Sequence, residues 1–147
     1  MKNTTLFILL SLFIISCGET IDSKSLVERD GIKYKVNEQT PFSGKSISYY
    51  KDGKIEIEGN YKDGQQEGKW TYYQERGQIQ QEGNYKDGKL DGKWISYYDN
   101  GQIMSETNYK EGELDGKYIL YFKNGQIGKE GNYKDGKEDG KFISYYE

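Results

Sequence analysis

The 147-residue chain predicts an all-β fold, an elongated antiparallel β-meander built from 24-residue hairpin repeats. Three observations predict it: a hexapeptide that returns at fixed spacing, glycine turns between short aromatic and β-branched runs, and no apolar helical period within a unit. Gly59-Asn60-Tyr61-Lys62-Asp63-Gly64 recurs at Gly83 to Gly88, as Thr107-Asn108-Tyr109-Lys110-Glu111-Gly112, and at Gly131 to Gly136, each 24 residues after the last. The same ungapped period carries Tyr49, Tyr73, Tyr97, Tyr121 and Tyr145, and also Ile55, Ile79, Ile103 and Ile127.

Met1 to Cys17 reads as an address. Lys2 precedes the run Leu6 to Ile15, broken only by Ser11, and the segment is too short to span roughly 30 Å of hydrocarbon as a mature helix. Ile14-Ile15-Ser16-Cys17 resembles a bacterial lipobox, with the chain's one cysteine where the apolar run ends. The resemblance implies a signal peptide over 1–16, lipidation of Cys17, and a membrane anchor that does not cross the bilayer. Gly18, where aspartate would resemble an inner-membrane retention signal, favours the outer membrane. Residues 17–25 are then a lipidated tether, small and polar beyond the cysteine.

Residues 26–43 fall outside the 24-residue register. Leu26-Val27, the Asp30-Gly31 pair and Ile32 to Val36 predict a capping hairpin. Four full units and a fifth half unit then fill 44–147. In the unit 92–115, Gly-Lys-Trp-Ile-Ser-Tyr-Tyr and Gln-Ile-Met-Ser-Glu-Thr-Asn-Tyr are two strands around Asp-Asn-Gly. Asn100-Gly101 and Asn124-Gly125 suggest two-residue type I′ turns. That register sets Tyr98 against Ile103 and Trp94 against Thr107, and by repetition Trp70 against Gly83 and Tyr118 against Gly131, aromatic rings covering bare glycines. Glu75-Arg76-Gly77 suits type I′ poorly, so a bulge is expected in that unit. Alternation places Trp94, Tyr98, Ile103 and Tyr109 on one face, and Ile95 and Tyr97 on the other. The last strand, Phe142 to Glu147, leaves an edge able to pair with another chain.

Composition limits the function. With no histidine and one cysteine, Ser-His-Asp systems, His/Cys zinc sites and internal disulfides are excluded. Fifteen tyrosines, five phenylalanines and two tryptophans at net charge −3 argue for a folded chain, and a pI of 5.2 argues against nucleic acid as a partner. The turn carboxylates Asp63, Glu67, Asp87, Asp91, Glu111, Asp115, Asp135 and Asp139 lack the dense ligand set of a calcium loop, so no metal or cofactor is expected. No acid pair is distinguished from its copies one repeat away, which argues against glycosidase chemistry and for a non-enzyme.

Gly-Lys-Trp-x-x-Tyr-Tyr-x-Asn-Gly-Gln-Ile and Gly-Asn-Tyr-Lys-Asp-Gly, over about residues 41–147, resemble the bacterial variant of the MORN repeat, as in YwqK-like proteins often labelled antitoxins. The resemblance implies repeated β-hairpins, contact with protein or lipid, and no catalytic residues. The expected function is therefore a lipid-anchored, cell-envelope module that binds a protein partner or acts as a scaffold. The alternatives are an antitoxin or immunity protein, and a glycan or cell-wall binder working through its aromatic columns. The candidate binding surface is Tyr49, Trp70, Tyr73, Trp94, Tyr97, Tyr121 and Tyr145, although periodic rings are also what the core of a thin sheet requires.

Overall fold

The structure is a computed structural model that describes residues 18–146. The signal segment 1–16 and Cys17 lie outside the described residues. Eight strands follow one another as a single antiparallel meander: β4 (Gly44–Tyr49), β5 (Ile55–Lys62), β6 (Gln65–Tyr73), β7 (Ile79–Lys86), β8 (Lys89–Tyr97), β9 (Ile103–Lys110), β10 (Glu113–Tyr121) and β11 (Ile127–Lys134). Each hydrogen-bonds to the next in sequence, as short turns between repeats require.

The ends differ from the middle. Residues 18–25, expected to be tether, are built into the sheet: Thr20–Asp22 forms β1, paired in parallel with β4, and Ser23–Ser25 makes one 3-10 turn capped by the Asp22 carboxylate. β2 (Leu26–Arg29) and β3 (Ile32–Lys35) form a separate hairpin through Asp30-Gly31, both at positive φ. The hairpin docks on the first repeat, where the Lys33 N–H donates to the Gly64 carbonyl at 2.9 Å and the Gly64 N–H to the Phe42 carbonyl at 2.8 Å. At the other end, β12 (Lys137–Glu138) and β13 (Ile143–Ser144) are two fragments of one further strand, both on β11.

The two kinds of turn alternate, and they are chemically distinct. Asp63-Gly64, Asp87-Gly88, Glu111-Gly112 and Asp135-Gly136 all have both residues at positive φ, the two-residue type I′ hairpin. Asn100-Gly101 and Asn124-Gly125 correct the sequence expectation, because only their glycines are left-handed, at φ +82° and +85°. The Gly101 N–H donates to the Tyr98 carbonyl at 2.9 Å and the Tyr98 N–H to the Gln102 carbonyl at 2.8 Å, so the loop is three residues, a type I turn closed by a glycine bulge.

The bulge moves the register beside every long turn, not only in the unit containing Glu75-Arg76-Gly77. Ile103 consequently faces Tyr97, and Tyr98 faces Gln102 where the three-residue loop closes. Away from the turn the expected pairs stand: Trp94 with Thr107, Trp70 with Gly83, Tyr118 with Gly131.

The meander is one layer thick, and its buried apolar set among the described residues is only Phe42, Trp70 and Ile119. Trp70 has its ring over Gly59, on the preceding strand, where an added Cβ would lie 2.2 Å from Cδ2. Trp94 covers Gly83 and Phe142 covers Gly131 in the same way. The ring therefore shields the glycine on the strand before it, and only glycine leaves room for this approach.

Candidate functional site

Both faces of the sheet carry a repeated set of side chains, and the sequence-derived aromatic candidates divide between them. On one face, Tyr61, Trp70, Tyr85 and Trp94 interlock edge to face, with centroid separations of 5.1, 6.0 and 5.8 Å along the series. Phe42 closes this row against Tyr61, and Tyr72 packs on Trp94. Tyr118, Tyr133 and Phe142 form a second cluster. Burial raises the pKa of Tyr61, Tyr109 and Tyr118, and also that of Tyr85, whose hydroxyl additionally meets that of Tyr72. Trp70, 5% exposed, is a packing residue first; Trp94 is half-buried.

Tyr73, Tyr97, Tyr121 and Tyr145 lie on the opposite face, each hydroxyl donating to a glutamate 15 residues earlier in the chain. The acceptors are Glu58 at 2.6 Å, Glu82 at 2.8 Å, Glu106 at 3.3 Å and Glu130 at 2.9 Å. The second oxygen of each glutamate receives a lysine 13 residues earlier still: Lys45 at 2.7 Å, Lys69 at 2.7 Å, Lys93 at 2.5 Å and Lys117 at 3.4 Å. Three adjacent strands thus contribute one group each to a Lys–Glu–Tyr triad, and the triad repeats four times. Tyr49, at the head of the column, is 37% exposed.

The electrostatics follow from this geometry. Lysine and tyrosine donors hold the carboxyls of Glu58 and Glu82 below the ordinary glutamate range, and Tyr145 followed by Lys117 does so for Glu130. Tyr73 is pushed up to about 12, chiefly by its bond to Glu58. Tyr97 also rises to about 12, through burial and then Glu82. These carboxylates have both oxygens engaged and side chains 17–25% exposed, while their lysines reach outward. Such a row exposes lysine ends beside carboxylates whose charge they neutralise.

The glutamate and lysine columns escaped the sequence reading. Their signal was present, since Glu58, Glu82, Glu106 and Glu130 and their lysines are invariant across the units. What it lacked was a way to join residues 13 and 15 apart.

The turn carboxylates have structural work. Glu67 accepts the Asp87 N–H at 3.1 Å and Asp91 accepts the Glu111 N–H at 3.3 Å, while the next N–H in each turn, Gly88 and Gly112, bonds the carbonyls of Gln66 and Leu90. Successive type I′ turns are stacked by these bonds along one edge. Among the described residues no group of three or more Asp, Glu, Cys or His side chains is placed to hold a metal ion.

Comparison with curated proteins finds no match. The MORN repeat variant matches at residues 42–63, 66–87, 90–111 and 114–135. Each match spans the two strands and the long turn of one hairpin unit, and together they take in more than half of the sequence. The chain therefore belongs to the MORN repeat variant family.

Proposed function

We propose that this protein is a lipid-anchored, non-catalytic binding module of the cell envelope, using the repeated surface of its sheet to hold a protein partner. The observation that carries the reading is the fourfold Lys–Glu–Tyr row, a pre-ordered surface whose rings are fixed before any partner arrives. Rings held by hydrogen bonds and packing lose little rotamer freedom on binding, so their contact area converts efficiently into affinity. Its carboxylates are committed to fixed donors and repeat identically, which suits recognition better than catalysis. The anchor rests on the Ile14-Ile15-Ser16-Cys17 sequence, with acyl chains on Cys17 holding the sheet at a bilayer surface, outer membrane favoured.

Crosslinking in intact cells from a photoreactive residue at Tyr97, followed by retrieval of the product, tests the binding half. A discrete protein adduct that is lost on Glu82→Gln supports it; label found only on polysaccharide would transfer the reading to a glycan. Membrane fractionation and lipid labelling test the anchor, and unchanged behaviour of Cys17→Ser would defeat it.

A further inference from the structure

We propose that the cavity beside the first long turn takes a cationic side chain, lysine or arginine, of a protein partner, seated on the ring of Tyr50 between the carboxylates of Glu56 and Glu75. This deepens the protein-binding reading and rests on it for the class of partner, while the site itself can be tried alone. The cavity measures about 520 Å³, opens to solvent, and is lined by Tyr49, Tyr50, Lys51, Asp52, Glu56 and Glu75.

The same seat recurs two repeats along the sheet, where the chain fills it. Tyr98 stands 48 residues after Tyr50, and the two hydroxyls donate to the carbonyls of Tyr73 at 2.5 Å and Tyr121 at 2.6 Å, so both rings are pinned alike. At Tyr98 the chain supplies its own cation: Lys123 Nζ lies 5.9 Å from the ring centroid, within the reach of cation–π attraction. The uncharged Met104 lines that cavity in the place equivalent to Glu56. In the first unit the place of Lys123 belongs to Glu75, and among the described residues no lysine or arginine lies over the Tyr50 ring. The ring is kept, its cation is gone, and carboxylates stand where lysine and methionine stood.

Those carboxylates are not answered from within. Lys54 is committed to Asp52 at 2.8 Å and to the Glu75 backbone carbonyl at 2.9 Å. Glu56 accepts the Ser48 hydroxyl at 3.3 Å, and among the described residues neither its carboxylate nor that of Glu75 forms an ion pair, with Lys51 or any other cation. The Tyr50 hydroxyl registers the resulting field, since burial and then the charges of Glu56, Glu75 and Asp52 raise its pKa. A negative cavity with an aromatic wall attracts a cation and repels a carboxylate or phosphate.

The test titrates the isotopically labelled full chain, in micelles of an uncharged detergent, with acetyl-Gly-Lys-Gly-amide and its arginine counterpart. The same peptide carrying norleucine keeps an apolar stem and lacks the charge. Amide shifts should gather on residues 49–56 and 75, with a dissociation constant on the order of millimolar, as suits one exposed cation site. Norleucine should bind roughly tenfold more weakly, and Glu56→Gln/Glu75→Gln should weaken the lysine peptide by a similar factor. The amide spectrum of each variant reads its fold in the same experiment. Glu75→Lys, which copies the Lys123 arrangement, should abolish binding, and Met104→Glu/Lys123→Glu should open a second seat at Tyr98. Equal binding of norleucine, shifts spread evenly over the acidic surface, or unchanged binding by Glu56→Gln/Glu75→Gln would overturn the proposal. A protein adduct from Tyr97 without lysine binding would overturn the cationic site and leave the protein-binding reading in place. Lysine binding beside an adduct only to polysaccharide would uphold the cationic site and overturn its assignment to a protein.

Discussion

The aromatic face and the Lys–Glu–Tyr face are built on the same backbone repeat, yet they accept variation differently. On the aromatic face the column beginning at Trp70 continues as Trp94, Tyr118 and Phe142, and the position it pairs with changes among Gly59, Gly83, Thr107 and Gly131. Where threonine replaces glycine, tyrosine replaces tryptophan on the strand beside it. On the other face, lysine, glutamate and tyrosine are the same in all four triads. Packing is satisfied by any pair of volumes that fills the space, whereas a hydrogen bond needs a particular donor at a particular reach.

Substitutions that attack volume should therefore cost the most. Trp70→Ala empties one of the two buried ring sites among the described residues, Phe42 being the other, and removes contacts with both Tyr61 and Tyr85. We expect a loss of roughly 3 to 5 kcal/mol, read as the midpoint of denaturant unfolding. A loss under about 1 kcal/mol would mean that the aromatic row is a surface feature and not a core.

The steric coupling can be tested separately. An added Cβ at Gly83 would lie 2.2 Å from Cε3 of Trp94, so Gly83→Thr should destabilise by about 2 to 3 kcal/mol. Combining it with Trp94→Tyr reproduces the Thr107 and Tyr118 pair already present in the chain. The double variant should be more stable than the two separate losses added together. Additive losses would show that the exchange of sizes between neighbouring strands is not a packing relation.

The polar face should respond less. Tyr97→Phe keeps the ring and removes one bond to Glu82, for a loss of about 1 kcal/mol. The high-pH limb sharpens this. Because Tyr97 and Tyr73 are raised to about 12, their contribution is complete below the unfolded tyrosine value near 10 and is lost as pH climbs toward 12. Unfolding midpoints measured across that window should fall more steeply for the native chain than for Tyr73→Phe/Tyr97→Phe.

How much of this was legible in the sequence depended on the kind of interaction. The ungapped period gave the meander and the pairs Trp94 with Thr107 and Trp70 with Gly83, because one hairpin register propagates through identical copies. Turn type was not legible at Asn100-Gly101, since a right-handed asparagine followed by a left-handed glycine serves a three-residue loop as well as two left-handed residues serve type I′. That single difference moved Ile103 from Tyr98 to Tyr97. β1 was hidden for another reason: Thr20-Ile21-Asp22 has almost no alternation to read, and its strand exists only because β4 offers an edge. The triads needed three strands in place before Lys69, Glu82 and Tyr97 could be recognised as neighbours.

The smallest expected effect separates the lysine from the tyrosine within one triad. Lys69 is 64% exposed in its side chain, so solvent and salt screen its 2.7 Å contact with Glu82, and Lys69→Ala should cost no more than about 0.5 kcal/mol. Its signature should lie in pH dependence. The Glu82 carboxyl is held below its ordinary value first by Lys69, so the stability it lends is present above the unfolded glutamate value and lost as pH falls through the folded one. Melting temperatures followed from about pH 6 down to pH 3 should decline for the native chain, and less steeply for Lys69→Ala. Raised salt should bring the two curves together if the lysine acts by charge. A gap that persists in high salt would mean instead that the lysine stem packs on the sheet, as long cationic side chains do.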